Sequence, residues 1–534
     1  MEETACKIAP AVAAFTMPVN VSPREIHPMP SFPLRLSLPR HRVPHIAVIF
    51  VALLAMLLSG AVFLPIASGA DEAAHYVYAA AVVRGQAGML EPTLPARFAN
   101  MDLLAGCIAF QPDVTAACQG PLRITSTAEV LAQTNAGLYN PVFYLWTGLG
   151  TLLVPTEYGL YLARGLAALV TALFLAWGLS LLGRTARTPL PLLAASLLLT
   201  PMTLYVGMVL NPSAWEIATL FAATVAGFAV ACGPRTTRWR EEHTLLLAAS
   251  CVLVVSRGLS PLFLAVTAVA LLLLAGVART RRLLTDRRAW IVAGGIAVVT
   301  GFSVAWVVLH GTNYVGVQKP ATLGDGLAGI SVFYSNYHEQ VTQMYGNLGW
   351  LDLRSPNILS TSWILLLGGV VVLCFGLASR RARWAILLAF ASATLIPGVL
   401  SGLQWSGYGW QGRYTMPLVA ALLVIAALAV DSGPNRVPFD AGVNRLVAML
   451  RWLLPAFLVL GVTITTVRTA HRYLAGETAD FLAAWQWSPP LAVPLLGIAF
   501  FGGLAVLTRA LIVRGADESE HVSALPDAVS GTRG

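Results

Sequence analysis

Long apolar segments recur along this chain, and they limit its fold more than any other feature. About twelve of them approach the ~20 residues that a helix needs to cross a bilayer. Hydrophobic residues make up 57% of the 534 residues and charged residues 11%, whereas soluble proteins carry roughly 25% charged residues. We therefore expect an all-α integral membrane protein. The expected spans are 44–63, 159–183, 189–208, 214–232, 243–257, 261–278, 290–309, 360–378, 384–400, 415–430, 447–467 and 490–508.

Basic residues predict which side of the membrane each connection faces. With the N-terminus inside, the Arg clusters in 184–187, 235–240, 279–288, 380–383 and 436–451 are all cytoplasmic, as the positive-inside rule requires. Both termini are then cytoplasmic. Because the basic residues fall between spans, the net charge of +9 does not indicate nucleic-acid binding.

The external connections are much longer than the cytoplasmic ones. Function concentrates in loops held on a rigid scaffold, so the external side is the expected working face. The apolar segment 140–153 in the first of these loops is rich in Tyr and Trp. We predict that it is a surface helix, since counting it as a span would reverse every later basic cluster. The expected external loops are 64–158, 310–359, 401–414 and 468–489.

The two ends of the chain differ in composition from this membrane domain, which covers 44–508. The segment 1–43 contains many prolines and no helical periodicity, and the segment 509–534 contains the acidic run Asp517-Glu518-Ser519-Glu520. Both are expected to be disordered and cytoplasmic.

Two cysteines lie in the first external loop. Cys107 and Cys118 are eleven residues apart, and an oxidising exterior favours a disulfide between them. Two unpaired thiols also fit the sequence.

Two acids and a histidine follow the first span. In a helix that starts near Ala70, Asp71, Glu72 and His75 share roughly one face. A carboxylate in the first helical turn stays ionised, as a general base acting on a hydroxyl group must be. The alternative is that the acids only cap the helix and face solvent.

Several arginines lie at the external ends of spans. Arg164, Arg257 and Arg413 would either extend to lipid headgroups or converge on one phosphate, which a guanidinium binds with two hydrogen bonds. Arg413 is the most informative, because Gln411-Gly412-Arg413-Tyr414 follows an aromatic run that contains Trp405, Tyr408 and Trp410. Aromatic faces pack on sugar rings or anchor the membrane interface, and the sequence fits both roles.

The second large loop contains Gly349-Trp350-Leu351-Asp352, an aromatic ring and a carboxylate beside glycine. Trp350 and Asp352 are substrate-binding candidates, together with Gln411 and Tyr414. The nine histidines show no paired ligand spacing, and the first loop contains no Asp-x-Asp pair. No metal site or other cofactor is predicted.

Four motifs together resemble a bacterial family of uncharacterised multi-spanning proteins. They are Asp71-Glu72-x-x-His75, Asn140-Pro141 with Tyr144, Gly349-Trp350-Leu351-Asp352, and Gln411-Gly412-Arg413-Tyr414 with Pro417. They occur in the same order as in that family, and the resemblance extends over about residues 44–508. The family usually has a proline shortly before the acidic pair, where this chain has Ser68-Gly69-Ala70.

That family in turn resembles the GT-C class of membrane glycosyltransferases. The resemblance implies transfer of a sugar from a polyprenyl-phosphate carrier to a cell-envelope acceptor at the outer face of a bacterial inner membrane. It implies Asp71 as the base, Glu72 beside it to bind acceptor or donor, and arginines at the phosphate. Donor sugar, acceptor and linkage are left open.

Two other functions fit the same span count. One is a lipid or polysaccharide transporter, such as a flippase, without covalent chemistry. The other is an inactive family member that assists assembly. Against transport, Glu216 is the only acidic residue within the expected spans, whereas coupled transporters place ionisable groups near the midplane.

Overall fold

The computed structural model describes residues 45–120, 126–233, 238–311, 322–402, 409–431 and 441–523. The arm expected over 1–43 lies outside these residues, as do Trp405 and Tyr408. The described chain is almost entirely helical. Its helices are α1 (His45–Phe63), α2 (Glu72–Val82), α3 (Ala96–Ala99), α4 (Met101–Gly106), α5 (Val142–Leu153), α6 (Gly159–Thr185), α7 (Leu190–Ser196), α8 (Pro201–Met208), α9 (Ser213–Cys232), α10 (Trp239–Val254), α11 (Ser260–Thr285), α12 (Arg287–His310), α13 (Leu323–Ser335), α14 (Tyr337–Gly346), α15 (Asn357–Leu377), α16 (Arg380–Gly402), α17 (Gly412–Asp431), α18 (Ala441–Leu474) and α19 (Val493–Ser523).

Ten helices in the described residues are long and apolar enough to cross a membrane, or eleven if α7 and α8 count as one bent span. The expected all-α, multi-span class is confirmed, but the expected count of about twelve is too high. The difference is α10, which has sixteen residues and carries Glu241 and Glu242 in its first turn. Its apolar part is shorter than the ~20 residues that a bilayer requires.

The segment expected to be one span over 189–208 is two helices that meet at 63°. Pro201 at the start of α8 has no backbone N–H to continue the helix, and the Thr200 side chain caps α8 by accepting a hydrogen bond from the Thr203 N–H. The Thr200 hydroxyl also donates to the Met344 carbonyl oxygen at 3.1 Å. The break therefore joins this pair to α14, a helix of the second loop.

Hydrogen bonds show which helix ends lie together. Arg164 of α6 bonds the carbonyl oxygen of Ala61 in α1, and Arg257, just after α10, bonds Ser213 of α9. We call this the site end of the bundle. At the opposite, basic end, the Arg187 N–H donates to Asp431 at 2.6 Å, and Arg184 pairs with Glu241. Successive spans thus alternate in direction.

The loops at the site end carry small ordered elements. β1 (Thr93–Pro95) and β2 (Glu129–Leu131) pair antiparallel, as do β3 (Asn347–Leu348) and β4 (Leu353–Arg354), while Ala116–Gln119 forms a 3₁₀ helix. The expected surface helix is α5, which has twelve residues and exposes Leu145, Leu149, Leu152 and Leu153. It is too short to span a bilayer.

The structure describes α19 as far as Ser523, past the domain boundary expected at 508. Its apolar part ends at Ile512, and the helix extends past it into the polar segment that was expected to be disordered from 509. Helical hydrogen bonding propagates at little cost once a long helix exists, so a polar tail extends it readily.

Candidate active site

Glu72, the second of the two acids, forms an ion pair inside the bundle. Its carboxylate accepts hydrogen bonds from Nε and Nη2 of Arg164, both at 2.7 Å, and from the Leu210 N–H at 2.7 Å. Neither side chain has any exposed surface. The pair joins α2 to α6 and to the break between α8 and α9.

Arg164 uses its remaining N–H groups on the end of α1. They donate to the carbonyl oxygens of Ala61, Leu64 and Pro65 at 2.7–2.8 Å. All five N–H donors of a guanidinium are thus used within the protein. In this structure Arg164 has none left for a phosphate, and Glu72 faces no cavity. Both residues therefore hold the first loop on the bundle, in contrast to the substrate contacts expected of them.

Asp71 precedes α2 in a left-handed backbone conformation, with φ 66°. Its side chain makes no capping hydrogen bond to the helix, so the capping alternative is wrong. The carboxylate instead forms an ion pair with Arg413 at the start of α17. The Asp71 side chain is 47% exposed and the Arg413 side chain 4%. Asp71 thus presents a partly open carboxylate in front of a buried cation.

Arg413 and Arg257 lie on either side of one aromatic ring. Their guanidinium carbons are 5.1 and 4.1 Å from the centre of the Tyr414 ring, within the range of cation–π attraction. Arg257 also donates to the Ser213 hydroxyl at 2.8 Å. Among the described residues, Nε of Arg413 has no hydrogen-bond partner. The two cations that sequence reasoning assigned to a phosphate are therefore brought together.

The charges around Asp71 set its protonation. Burial by itself raises the pKa of the Asp71 carboxyl, but the positive charge of Arg413, together with that of Arg257, outweighs this and lowers the pKa below its ordinary value. The carboxylate is therefore ionised at neutral pH.

His75 lies one helical turn after Asp71 and is buried. Burial lowers the pKa of His75 to about 3, against the opposing effect of the Asp71 charge, so the imidazole is neutral at pH 7. Its Nδ1 shares a hydrogen bond of 2.9 Å with the hydroxyl of Tyr144. The sequence indicated Tyr144 only as part of the motif with Asn140-Pro141. Its position beside His75 depends on packing between α5 and α2, for which the sequence carries no signal.

Asp71 and His75 open onto a cavity of about 220 Å³ between the first loop and α9, α11, α12 and α17. Its other polar walls come from residues far apart in the chain. They are Asn135, Asn140, Glu216, Arg257, Ser303, Gln411 and Tyr414.

Three of these polar residues stand out among the apolar walls. In the described part of the chain, Asn140 Nδ2 and Gln411 Oε1 are buried atoms without a hydrogen-bond partner. Glu216 is 1% exposed and accepts a hydrogen bond of 2.6 Å from the Ser260 hydroxyl. A buried donor or acceptor left unpaired costs about 1–3 kcal/mol. The cavity thus offers one free donor and one free acceptor to a ligand.

Trp350 and Asp352 do not line this cavity. The Trp350 indole N–H donates to the Ala67 carbonyl oxygen at 3.1 Å, and Asp352 accepts a hydrogen bond from the Trp350 backbone N–H at 2.9 Å. Trp350 thus contacts the turn that precedes α2, and Asp352 contacts the backbone of Trp350. The substrate contacts expected of the two residues stay a prediction.

A second cavity, of about 500 Å³, lies between α1, α8, α18 and α19. Its lining is mainly apolar and includes Phe63, Leu64, Met208, Trp485 and Phe500. Leu64 is the residue whose carbonyl oxygen binds Arg164. The segment that carries the acidic pair thus contributes Leu64 to this cavity and Asp71 to the first one.

The two cysteines of the first loop, Cys107 and Cys118, form a disulfide in the structure. Buried Arg472 of α18 donates to the carbonyl oxygens of Ile108 and Gln111 within the closed loop. The described residues contain no group of three or more His, Cys, Asp or Glu that could hold a metal ion.

The fold and site define a multi-pass membrane protein whose helix bundle has, at one end, a cavity that contains several polar groups. In sequence, residues 53–422 match the family described as predicted membrane protein (DUF2142). The chain belongs to this family, which confirms the relationship expected from its four motifs. No curated protein matches the chain in sequence.

Two solved structures show a weak similarity to the chain. The chain is similar to ArnT from Cupriavidus metallidurans bound to undecaprenyl phosphate, with 15% identity, a TM-score of 0.41, and coverage of 90% of this chain and 78% of that one. It is also similar to the Archaeoglobus fulgidus oligosaccharyltransferase, with 12% identity, a TM-score of 0.29, and coverage of 85% and 61%. At this level of overlap, the likeness supports no inference about function.

Proposed function

We propose that this protein is a membrane glycosyltransferase that moves a sugar from a polyprenyl-phosphate carrier to a cell-envelope acceptor, with Asp71 as the general base. The observation that carries the proposal is the ionised, half-exposed carboxylate of Asp71 in a cavity beside two guanidinium groups. The four motifs resemble this protein family, and the resemblance of the family to the GT-C class supports the same reaction.

In the proposed reaction, an acceptor hydroxyl oxygen attacks the anomeric carbon of the donor. The bond from that carbon to the phosphate oxygen breaks, and its electron pair leaves with the polyprenyl phosphate. Asp71 takes the proton of the hydroxyl, a contribution of roughly 10²–10⁴-fold. One base is sufficient for a single displacement with inversion, and the activated phosphate needs no nucleotide.

Arg413 and Arg257 are the proposed phosphate ligands. Arg413 now pairs with Asp71, and that pairing weakens Asp71 as a base. A bound phosphate would compete for the same guanidinium, and the unpartnered Nε of Arg413 would allow a second hydrogen bond. Donor binding would thus release the carboxylate at the moment when its basicity is needed. The same cations would stabilise the charge that develops on the departing phosphate.

The polar walls suit a hydroxylated ligand. Asn140 offers a donor, Gln411 an acceptor and Glu216 a carboxylate, while Tyr139 and Tyr414 add aromatic rings to the lining. Such a mixture of hydrogen-bonding groups and ring faces fits a sugar. The larger apolar cavity beyond Leu64 is the proposed position of an isoprenoid chain.

The orientation proposed with this function puts the site end outside the cell, with both termini in the cytoplasm. It is supported by the arginines that gather at the basic end, among them Arg184, Arg187 and Arg279. Single cysteines replacing Asp325 and Thr285 test it with an impermeant thiol reagent on intact cells. We expect labelling at position 325 alone, and labelling at position 285 alone would reverse the orientation.

The reaction is tested with purified protein in lipid nanodiscs. Polyprenyl-phosphate donors carrying different radiolabelled sugars are incubated with a cell-envelope extract as the source of acceptor. We expect label to leave one donor for a new product, with loss of this transfer in Asp71→Asn. Arg413→Lys keeps the charge but loses the planar fork, so binding of decaprenyl phosphate should weaken.

The alternative function is transport, and the same purified protein can be used to test it. In proteoliposomes, a fluorescent polyprenyl phosphate that crosses the bilayer while no donor yields a transfer product would favour a flippase. Transfer that is unchanged in Asp71→Asn would instead contradict the assignment of the base.

A further inference from the structure

The turn that carries Asp71 is held in an unfavourable backbone conformation. Ala67 and Asp71 have φ values of 55° and 66°, in the left-handed region that costs a residue with a side chain roughly 1–2 kcal/mol. Because the Asp71 side chain does not cap α2, the helix does not supply the compensation. Contacts from elsewhere must keep the turn in place.

The loop formed by residues 349–352, which we call the clamp loop, makes these contacts. The Ala70 N–H donates to the Gly349 carbonyl oxygen at 3.1 Å, and the Trp350 indole N–H donates to the Ala67 carbonyl oxygen at 3.1 Å. The two hydrogen bonds attach both sides of the turn. Between them, the Tyr205 hydroxyl donates to the Ser68 carbonyl oxygen at 2.9 Å.

The clamp loop is itself constrained. It connects β3 to β4, and its Asp352 side chain accepts a hydrogen bond from the Trp350 N–H at 2.9 Å. Gly349 has φ +64°, and a Cβ there would lie 2.5 Å from Asp352 Oδ1, so a larger residue does not fit. Leu351 has φ 67°. Asp352 thus closes a tight loop around the tryptophan.

The strained residues of the molecule gather at this contact. In the described ranges, four residues other than glycine have positive φ: Ala67, Asp71, Phe110 and Leu351. Two are in the turn, one is in the clamp loop, and the Phe110 ring is 6.0 Å from the ring of Trp350. Backbone strain of this kind persists where surrounding structure enforces it, and it clusters at functional sites.

We infer that Trp350 and Asp352 are positioning residues: the clamp loop holds the left-handed turn so that the Asp71 carboxylate meets Arg413 at the cavity. The catalytic meaning of this inference rests on the proposed function, but the positioning itself does not. Losing the indole hydrogen bond would let Ala67 and Asp71 relax toward ordinary backbone conformations and move the carboxylate away from Arg413.

The first test needs no substrate. Asp71→Cys is introduced into protein in which every cysteine outside the Cys107–Cys118 bridge is replaced by alanine. The rate of alkylation by iodoacetamide is then measured against pH, which reports the pKa of the introduced thiol. Because Arg413, Arg257 and His75 face this position, the nearby guanidinium charge should hold that pKa below about 8.5. Arg413→Ala in this background defines the value without the cation.

Trp350→Phe removes the indole N–H and keeps an aromatic ring. We expect it to raise the pKa of the introduced thiol by about one pH unit, toward the value in Arg413→Ala. The matched control is Trp363→Phe, since the Trp363 indole also donates to a backbone carbonyl, that of Leu197, at 2.9 Å. Equal thiol pKa values in the two variants would overturn the inference.

Asp352→Ala is the second variant, in case Trp350→Phe does not fold, and it should raise the thiol pKa in the same direction. In the transfer assay, Trp350→Phe should lower kcat about tenfold relative to Trp363→Phe with KM for the carrier unchanged. If no transfer reaction exists, the thiol measurement still decides the positioning. A changed thiol pKa with no transfer activity would mean that the proposed function fails while the clamp stands.

Discussion

Adjacent residues in this chain form two ion pairs that have opposite character. Glu72 and Arg164 have no exposed surface, and every N–H of the arginine is used. Asp71 and Arg413 meet at a cavity, where the carboxylate is 47% exposed and the arginine keeps an unpartnered Nε within the described structure. An ion pair whose arginine uses every N–H within the protein has no donor left for a ligand. An ion pair whose arginine keeps a free N–H can exchange partners.

The comparison shows that an acidic doublet need not act as one unit. Asp71 precedes α2 in a left-handed backbone conformation, whereas Glu72 is the first helical residue, so the two side chains point in different directions. Here the first acid is available for chemistry and the second fixes the position of the first. Four predictions, which use six substitutions, test the two sides of this comparison from the largest expected effect to the smallest.

Removing the arginine of each pair should affect stability very differently. Arg164→Met leaves Glu72 as an unpaired charge with no access to water, which costs about 3–5 kcal/mol. Arg413→Met leaves Asp71 half-exposed, and we expect a loss of about 1 kcal/mol. Thermal unfolding of the two purified variants measures the difference. Equal melting temperatures would mean that the two pairs are not distinct.

Neutralising Asp71 should reduce turnover more than neutralising Glu72 does. This order is the reverse of the one expected for stability. Asp71→Asn should lower transfer by about 10²–10⁴-fold while its melting temperature stays close to that of the wild type. Glu72→Gln should lower the melting temperature instead, because Arg164 loses its counter-charge. The assay is the nanodisc transfer reaction, normalised to folded protein. Strong loss of turnover without loss of stability in Glu72→Gln would contradict the division of roles.

Low pH should lower the free energy of unfolding through His75, which lies beside Asp71 at the cavity. The pKa of His75 is lowered to about 3 in the folded protein, whereas an unfolded histidine titrates near 6.5. Between these values unfolding takes up a proton, so stability is complete above pH 6.5 and falls by about 1.4 kcal/mol per pH unit below it. Thermal unfolding of wild type and His75→Gln between pH 7 and 4.5 should give diverging curves. Parallel curves would contradict the buried, neutral imidazole.

The smallest expected effect concerns the free acceptor in the cavity. Gln411→Met removes the unpartnered Oε1 with little change in size, so stability should change by less than about 1 kcal/mol. Binding of a polyprenyl-phosphate sugar should weaken while binding of the sugar-free polyprenyl phosphate does not. Calorimetric titration with both lipids compares them. Equal weakening for the two lipids would assign Gln411 to the phosphate region.

Local sequence patterns were sufficient for most of the fold. Each expected span is helical in the structure, because about twenty apolar residues can satisfy their backbone only within a helix in lipid. The break before Pro201 was missed, since apolar content does not report where a cap interrupts a helix. The span expected over 243–257 corresponds to α10, whose charged first turn leaves it a short apolar part. The pairing of Cys107 with Cys118 required only that both lie in one loop, eleven residues apart.

The roles of the polar residues were harder to predict. Arg164, Arg257 and Arg413 looked alike in the sequence, each near the external end of a span. Their difference lies in what surrounds them: carbonyl oxygens from the end of α1 for the first, and an aromatic ring with an open carboxylate for the other two. Trp350 similarly contacts the backbone of a turn that is 283 residues distant in the chain.

The sequence by itself determined that this is a multi-pass helical membrane protein of its family, with chemistry-bearing residues at one end of the bundle. The multi-pass helical class follows from composition, apolar segment length and charge placement, which act locally along the chain, whereas the family was expected from the resemblance of the four motifs. Only the tertiary structure decided that the Glu72 carboxylate is buried and fully hydrogen-bonded and that the Asp71 carboxylate is partly exposed at the cavity. The reason is physical: the saturation of a carboxylate depends on which donors folding brings within about 3 Å of it, and here those donors come from α6, α17 and the backbone at Leu210.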